Sequence, residues 1–419
     1  MTRFELKKIF SRRINQIVLL VMAAIVAVSI FVGFNSVSYS VYDGNPENGT
    51  YYLSGHAAAV RLRADAAQYE GELTVELLRR VIEDNARIHA MPEAQSKSIP
   101  ELNYVYTFTQ GYRDIRNLCA TAYMSFNDYD YFTLDNLKPE DADRFYSLRT
   151  QQLIDWLNRP EIVDMFTPAE REFLISRYEA LETPLLYRPT IGWDIIFEQT
   201  PSLLMFMCFI LGFLLAGIFA DEAHLKTDAI LFSSFHGRKK AVWDKIKAGL
   251  IITNGVYWGC MLILSAVLLL ALGAQGWDCP VQVTGSGWKS IYNISVLQKY
   301  LLTLACGWVG VTVIAMVSML ISAKTNSATL SVAMPMFIIF LPQILSAIAQ
   351  SANAANITKI MGLMPDQLLQ VNTVMGFFNF YSIGGQIFAE LEITPWLHLA
   401  IAALLAPLVY NVYRKKNPA

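Results

Sequence analysis

Residues 219–249, FADEAHLKTDAILFSSFHGRKKAVWDKIKAG, form a short charged stretch that lies between two long apolar runs. A run of about 20 apolar residues is long enough to cross the hydrocarbon core of a bilayer as a helix. Outward from this stretch, the sequence contains further runs of the same kind. The predicted spans are residues 14–34, 199–220, 248–272, 299–322, 327–349 and 395–413. We therefore expect an all-α polytopic membrane protein with six transmembrane helices.

The composition agrees with this expectation, because hydrophobic residues make up 54% of the 419 residues and charged residues only 16%. Soluble domains contain about 25% charged residues. The first span, residues 14–34, is too long for the apolar region of a signal peptide, and no small-residue cleavage site follows it. We expect it to remain as a membrane anchor.

Charge is distributed unevenly along the chain, although its formal net value is only −2. Residues 1–13 carry five basic side chains and one acidic one, residues 221–247 carry six and four, and residues 414–416 are all basic. In contrast, residues 35–198 hold 15 Lys/Arg and 26 Asp/Glu, a net charge of −11. Basic residues are retained on the cytoplasmic side of short loops. The sequence thus predicts a multi-pass protein of the cell membrane with both termini in the cytoplasm.

The acidic segment 35–198 is predicted to be a mainly α-helical extracytoplasmic domain between spans one and two. Residues 167–170, TPAE, have the sequence of a capping box with a first-turn proline. Residues 138–140, KPE, mark the start of another helix. Alternation of apolar and polar residues, which is typical of strands, is scarce in this segment.

Aromatic side chains are concentrated in the middle of this domain, interleaved with Asp128 and Asp130. The aromatic positions are Tyr123, Phe126, Tyr129, Tyr131 and Phe132. One interpretation is an amphipathic surface that meets a cationic or amphipathic substrate. The other is an aromatic helix end packed on the domain core. We favour the second, because tyrosine commonly buries its ring and leaves its hydroxyl in water.

Residues 371–391 are apolar enough to suggest a seventh span. A seventh span would place residues 414–416 outside the cell, against the charge rule, and would put Gly384 and Gly385 inside the membrane. We therefore expect residues 350–394 to form an outer loop with re-entrant helices before the last span.

Five cysteines lead to two expectations. Cys208, Cys260 and Cys306 lie in the predicted spans, where we expect them to be small packing residues. Cys119 and Cys279 would both lie on the outer side. Because the sequence cannot establish their separation, a disulfide and two free thiols both remain open.

The sequence contains none of the common motifs for nucleotide hydrolysis or for metal-dependent and nucleophilic catalysis. It has no G-x-x-x-x-G-K-[ST], H-E-x-x-H, paired C-x-x-C or G-x-S-x-G. Acidic and basic side chains are nearly missing from the spans, whereas ion-driven carriers usually need them as coupling sites. We therefore expect no enzyme activity, no metal and no cofactor in this chain, and an energy source in a separate protein.

Residues 221–247 contain an amphipathic segment in which Leu225, Ile230 and Phe232 can share one side of a short helix. Residues 233–237 interrupt this helix. A short amphipathic helix of this kind suits docking into a groove on a soluble partner. The alternative is a solvated loop whose bases follow the charge rule, and periodicity does not decide between the two.

Several short motifs, in their order along the chain, resemble the membrane subunits of type-2 ATP-binding-cassette transporters. They are F-x-x-E at Phe219 and Glu222, L-F-S-S-x-x-G-R at residues 231–238, and K-I at residues 245–246 before a span. Residues 1–13 are similar to the amphipathic elbow helix of that family, and residues 350–394 are similar to its re-entrant outer helices. The large domain after the first span is a departure from many of its members.

This resemblance implies that residues 221–247 form a cytoplasmic coupling loop, which contacts a separate ATPase subunit that binds the ATP. The residues implied to make the contact are Glu222, Leu225, Phe232, Ser233, Ser234, Gly237 and Arg238. A second permease subunit, identical or related, is implied as a further partner in the lipid bilayer. No nucleic-acid partner is expected.

The function implied by the resemblance is that of a permease subunit in an ATP-driven exporter of a peptide, antibiotic or amphipathic compound. The alternative is a membrane sensor or assembly protein with an extracytoplasmic ligand-binding domain and no transport.

Within the spans, Gly255 and Gly259 form a small-xxx-small pair that we expect to allow close packing inside the subunit. Pro342 is a candidate hinge in the fifth span.

Overall fold

The computed structural model describes residues 2–42, 50–225, 227–233, 237, 239–285, 287–349 and 355–415. Most of these residues are helical. In chain order the helices are α1 (Thr2–Phe10), α2 (Arg13–Ser36), α3 (Gly55–Ala66), α4 (Val75–His89), α5 (Ile99–Thr109), α6 (Arg113–Ala122), α7 (Thr133–Asn136), α8 (Phe145–Leu157), α9 (Pro168–Glu179), α10 (Ile191–His224), α11 (Asp228–Ser233), α12 (Lys240–Leu272), α13 (Val296–Thr325), α14 (Ala328–Ala349), α15 (Ala355–Gly362), α16 (Val371–Val374) and α17 (Glu390–Arg414). The strands are β1 (Ser38–Tyr42), β2 (Thr50–Ser54), β3 (Gly71–Glu72), β4 (Leu186–Tyr187), β5 (Phe380–Ile383) and β6 (Gln386–Ala389).

Within the described residues, five helices are long and apolar enough to cross a membrane, namely α2, α10, α12, α13 and α17. The predicted fifth span coincides with α14, which has a shorter apolar stretch, Ala328–Pro342. The second predicted span is part of a longer helix, because α10 begins at Ile191 and has 34 residues. These helices make the chain a mostly helical, multi-pass membrane protein.

Helices α10 and α13 form the centre of the bundle, and α2, α12, α14 and α17 pack around them. Gly307 of α13 allows close contact with two of its neighbours. A Cβ atom at this position would lie 2.8 Å from a methyl carbon of Leu204 in α10 and 2.9 Å from the hydroxyl oxygen of Tyr257 in α12. Such close backbone approach is typical of membrane helices, whose association depends on packing more than on exclusion of water.

The residues between α2 and α10 form an inserted domain of short helices with two antiparallel strand pairs, β1–β2 and β3–β4. In the longer pair, Ser38 is opposite Ser54 and Tyr42 is opposite Thr50. These small sheets were not indicated by the sequence pattern. The pair β1–β2 follows directly after α2 and precedes α3, whereas the pair β3–β4 joins residues 71–72 to residues 186–187, just before α10.

Local capping chemistry sets several of the helix starts. The hydroxyl of Thr167 accepts a hydrogen bond from the backbone N–H of Glu170, and the Glu170 carboxylate accepts one from the backbone N–H of Thr167. This confirms the capping box at the start of α9. Ser295 and Gln298 form a second capping box at the start of α13, and the Thr74 hydroxyl accepts a hydrogen bond from the backbone N–H of Leu77 at the start of α4.

The segment before α17 differs from the expected re-entrant helices. Helices α15 and α16 are short, and β5 and β6 form an antiparallel hairpin. Its turn contains Gly384 and Gly385, whose φ angles of 60° and 85° lie in the left-handed region that glycine tolerates. A Gly-Gly pair between two apolar runs is a typical hairpin pattern. The second half of this segment therefore forms strands where we expected a helix.

Two ion pairs attach the inserted domain to this segment. The Nζ atom of Lys359 in α15 lies 2.7 Å from a carboxylate oxygen of Glu170, and Arg177 lies 2.7 Å from a carboxylate oxygen of Glu392 in α17. Phe380 of β5 is buried in the same apolar cluster as residues of α8 and α9. The domain is thus attached to the start of the last long helix.

The five cysteines form no disulfide. Cys119 and Cys279, whose pairing the sequence left open, are both buried as free thiols. Burial raises the pKa of each of these two thiols to about 12. Both are therefore protonated and unreactive near neutral pH.

Candidate coupling site

The loop between α10 and α12 lies at one end of the bundle together with α1. We call this end the loop end, and the opposite end, which carries the inserted domain, the domain end. Helix α10 finishes where the backbone N–H groups of Leu225 and Thr227 donate to the carbonyl oxygens of Asp221 and Glu222. The short helix α11 follows at once, so that the loop is partly helical as the amphipathic pattern predicts.

Lys245 of α12 is a fully buried cation beneath this loop. Its Nζ atom lies 2.6 Å from a carboxylate oxygen of Glu222 and 3.2 Å from one of Glu5, and it donates to the carbonyl oxygen of Ile218 at 2.9 Å. An ammonium group has three N–H donors. All three have an acceptor here, which explains why the buried charge is tolerated.

Glu222 of α10 connects the elbow helix to this junction. The same carboxylate oxygen that binds Lys245 also lies 2.7 Å from Nζ of Lys8 in α1. Since Glu5 of α1 binds Lys245 as well, residues from α1, α10 and α12 share one ionic cluster. We call Glu5, Lys8, Glu222 and Lys245 the ionic junction.

Two further contacts surround the ionic junction. Arg12 lies 2.5 Å from a carboxylate oxygen of Asp221, and the hydroxyl of Thr2 donates to Asp244 over the same distance. These pairs join the elbow segment, residues 2–12, to the two long helices that flank the loop. The elbow segment is therefore fixed against α10 and α12 along its whole length.

Aromatic packing attaches α11 to the end of the last helix. The ring of Phe232 lies 5.3 Å from that of Tyr413 in α17, and Tyr413 in turn lies 4.8 Å from Phe219 of α10. Only 7% of Phe232 is exposed. Movement of α11 would therefore displace the ends of α10 and α17.

The residues predicted to contact an ATPase do not share one face. Glu222 is held in the ionic junction and Phe232 in the aromatic cluster, while Gly237 is also buried. Leu225 and Ser233 are exposed. The two remaining members of the set, Ser234 and Arg238, lie outside the described residues. Glu222 and Phe232 thus support the loop from inside, which corrects their predicted position on its surface.

Among the loop residues whose side chains the structure describes, the exposed apolar ones are Leu225, at 63% exposure, and Ile230, at 72%. Ile230 was part of the amphipathic pattern but not of the motif that carried the resemblance. Its position in the middle of α11 makes it the most exposed apolar side chain of that helix among those the structure describes. Together these two residues form the apolar surface that the loop presents.

Gly255 and Gly259 do not pack within the subunit as we expected. Both lie on the exposed side of α12, and a Cβ atom at either position would meet no described atom within 4 Å. Pro342, the candidate hinge, is buried in α14, which continues past it to Ala349.

A buried lysine at the domain end was not identified from the sequence. Lys299 lies in the first turn of α13 and donates to the side-chain oxygen of Asn372 at 2.7 Å. Its Nζ atom is 4.1 Å from the centre of the Phe197 ring. Among the described residues, no carboxylate oxygen lies within 4 Å of it. Lys299 is the first residue of the predicted span 299–322, and for this reason the sequence pattern did not identify it as a buried lysine.

Comparison of the chain with protein-family models, with curated proteins and with solved structures gave no match.

Proposed function

We propose that this chain is the permease subunit of an ATP-driven transporter, and that the loop between α10 and α12 docks on a separate ATPase subunit. The observation that carries the proposal is the ionic junction. It fixes α1, α10 and α12 to one another at the loop that carries the exposed Leu225 and Ile230. A force applied to α11 would reach the long helices with little loss, because these helices are joined by a buried lysine whose three N–H donors all have an acceptor.

In this proposal the loop end is cytoplasmic, α14 crosses the membrane as the fifth of six spans, and the inserted domain is extracytoplasmic. The charge distribution supports that orientation. Tryptophan positions support the depth of the bundle, because this residue is enriched at the two membrane surfaces. Trp243 stacks on Tyr410 at the loop end, and Trp277 and Trp396 are exposed at the domain end.

ATP-driven closure of two ATPase subunits would push α11 and, through Phe232 and Tyr413, the ends of α10 and α17. A second permease subunit would lie beside this one in the membrane, and the cargo would leave between the two subunits. Export of a peptide or another amphipathic compound is the direction we propose. The large inserted domain at the domain end supports it, because it provides a binding surface on the side where an exported compound appears.

The proposal is tested by purifying the chain from its native membranes and identifying the proteins that elute with it. We expect a P-loop ATPase whose ATP hydrolysis is stimulated by the complex. The variant Leu225→Asp/Ile230→Asp should lose this partner, since charge on an apolar docking surface costs several kcal/mol in binding. Val163→Asp/Met165→Asp alters two exposed apolar residues of the inserted domain and should retain it.

Two results would overturn the proposal. One is elution of a kinase or another signalling protein in place of an ATPase, which would favour the membrane sensor. The other is equal recovery of the ATPase with both double variants, because docking would then not use the loop.

A further inference from the structure

The inserted domain has an exposed apolar surface on α5 and on the turn after α6. Ile99, Leu102 and Tyr106 lie at spacings of three and four residues, so they share one face of α5. Ile99 is 71% exposed, and in the turn Tyr129 is 56% and Phe132 is 63% exposed. We call these five residues the aromatic surface. Large apolar side chains grouped in this way mark interaction sites more often than scattered ones do.

The aromatic cluster found in the sequence is divided by the fold. Phe126 is buried and stacks on Trp156 with ring centres 4.8 Å apart, as expected for core packing. Tyr129 and Phe132 point outward instead, and the hydroxyl of Tyr129 donates to the side-chain oxygen of Asn117. Both interpretations of the cluster therefore apply, each to a different part of it.

Tyr131 supports the part of the aromatic surface that lies in the turn. Its ring centre lies 5.5 Å from that of Phe132. The guanidinium group of Arg116 packs over the Tyr131 ring at 5.0 Å and donates to the Tyr131 carbonyl oxygen. Because Arg116 is buried and paired with Asp135, this contact is rigid. The turn therefore presents its rings in a fixed arrangement.

Acidic side chains border the aromatic surface. Asp128 is exposed beside Tyr129, and Asp130 is partly exposed. One carboxylate oxygen of Asp130 accepts a hydrogen bond from the backbone N–H of Phe132, which holds the turn in shape. The segment from residue 35 to residue 198 carries a net charge of −11. A ligand of this surface therefore meets apolar rings surrounded by negative charge.

We propose that the aromatic surface binds a cationic amphipathic peptide. Lysine and arginine side chains of such a peptide would pair with Asp128 and lie over the tyrosine and phenylalanine rings, where cations are attracted to the ring faces. Its apolar side would cover Ile99, Leu102 and Phe132. That the peptide is the cargo or a signal of the transporter rests on the function proposed above, whereas the binding itself does not.

The negative charge at the aromatic surface argues against two other binding partners. A bilayer surface that carries anionic lipid would be repelled by Asp128. A second copy of this chain would bring another strongly acidic domain to the same place, and like charges facing each other cost several kcal/mol. A cationic partner would meet neither of these two repulsions.

The test uses the full chain in nanodiscs of zwitterionic lipid, so that a cationic peptide does not bind the lipid by charge. The probe is a fluorescent 14-residue peptide of leucine and lysine, and the control probe has glutamate in place of lysine. We expect saturable binding of the lysine peptide and none of the glutamate peptide. Tyr129→Ser/Phe132→Ser should weaken binding at least tenfold. Asp128→Asn should weaken it severalfold and reduce its dependence on salt.

The matched control is Val163→Ser/Met165→Ser, which removes two exposed apolar side chains elsewhere on the inserted domain. Equal binding by the two double variants would overturn the proposal, as would equal binding of both peptides. Binding of anionic vesicles that depends on Tyr129 and Phe132 would also overturn it, in favour of a membrane contact. None of these results bears on recovery of the ATPase, which is measured without peptide.

Discussion

Lys245 is the residue on which the loop end depends most. Its ammonium group is buried, and its acceptors come from α1 and α10, two helices that are far apart in sequence. Removing one member of a buried charge cluster leaves the others unpaired in a medium of low dielectric, which costs more than the intact cluster contributes. The Glu5 carboxylate would lose Lys245 as its partner, and Glu222 would keep only Lys8.

The first prediction concerns Lys245→Met, which keeps the length of the side chain and removes its charge. We expect a loss of about 3–5 kcal/mol in stability, because two carboxylates lose their buried cation. Thermal unfolding of the purified protein in detergent measures the effect. Lys247→Met is the matched control, since this lysine is exposed two residues away. Adding Glu222→Gln to Lys245→Met should restore part of the loss. Equal unfolding temperatures for Lys245→Met and Lys247→Met would contradict this role.

Arg149 holds the inserted domain to the segment between α12 and α13. It is buried, and it donates to the carbonyl oxygens of Trp288, Tyr178 and Ser290 at 3.0, 3.2 and 2.8 Å. Its guanidinium group also stacks on the Tyr178 ring at 3.8 Å. Burial lowers the pKa of this guanidinium. The planar guanidinium group of arginine has five N–H donors. No other side chain can reach all three carbonyl oxygens from one position.

We predict that Arg149→Lys lowers stability by about 2 kcal/mol, because a lysine cannot satisfy three diverging carbonyl oxygens. Arg144→Lys, at an exposed position in the turn before the same helix, should change it by less than about 0.5 kcal/mol. Limited proteolysis provides a second measurement, since Arg149→Lys should expose the segment near Trp288 to cleavage. If both variants resist protease like the parent protein, Arg149 has no such function.

At the scale of elements, local chemistry explains what could be predicted. The capping box at Thr167 and Glu170 was recognisable because its two hydrogen bonds join residues three positions apart. The hairpin of β5 and β6 had a recognisable turn in Gly384-Gly385, but its apolar strands resemble a membrane segment in composition. Composition outweighed the turn signal there, and the expected helix was wrong.

The ionic junction could not have been predicted in the same way. Glu5 and Lys245 are 240 positions apart, and nothing local to either residue indicates the other. Likewise, the exposed side of α12 at Gly255 and Gly259 depends on which neighbours α12 has in the bundle. Tertiary contacts decide both features, and a periodic pattern contains no information about them.

The short helical turn before α16 leads to a prediction about pH. Burial raises the pKa of Asp366 from 3.8 to about 7, although the side chains of Gln367 and Gln370 donate hydrogen bonds to it. A raised pKa in the folded state means that the stabilising contribution is present below about pH 4 and is lost as the pH rises through 7. The ionised form costs up to about 4 kcal/mol at alkaline pH.

We therefore expect Asp366→Asn to have nearly the stability of the parent protein at pH 5 and to be more stable at pH 8. Thermal unfolding across this range checks the sign. Asp164→Asn, at an exposed carboxylate, should follow the parent at every pH. A parent protein that becomes more stable relative to Asp366→Asn as the pH rises would show the assignment to be wrong.

At the scale of the whole molecule, the sequence predicted the membrane helices well, because long apolar runs have few alternatives to a helix in a bilayer. The arrangement of the helices is a different matter. Only the structure shows that α10 and α13 are central and that the inserted domain is attached to the start of α17 by Arg177 and Glu392. Changes in this domain can therefore reach the bundle through α17.

The proposed orientation predicts how single cysteines react in sealed cells. Ser233→Cys, in α11, should be protected from a membrane-impermeant maleimide, and Asn127→Cys, beside the aromatic surface, should react. Both positions are exposed, whereas Cys119, Cys208, Cys279 and Cys306 are buried and should give little background. Reaction of residue 233 from outside would place the loop on the wrong side of the membrane for any ATPase.

The central claim is that α11 touches an ATPase, and photo-crosslinking from position 230 in native membranes tests it most directly. A photoreactive residue there should capture a P-loop nucleotide-binding protein, and the yield should change when ATP is added. The same residue at position 270, an exposed side chain of α12 within the predicted span, should capture none. Capture of no nucleotide-binding protein from position 230, in membranes where the chain is intact, would contradict the account.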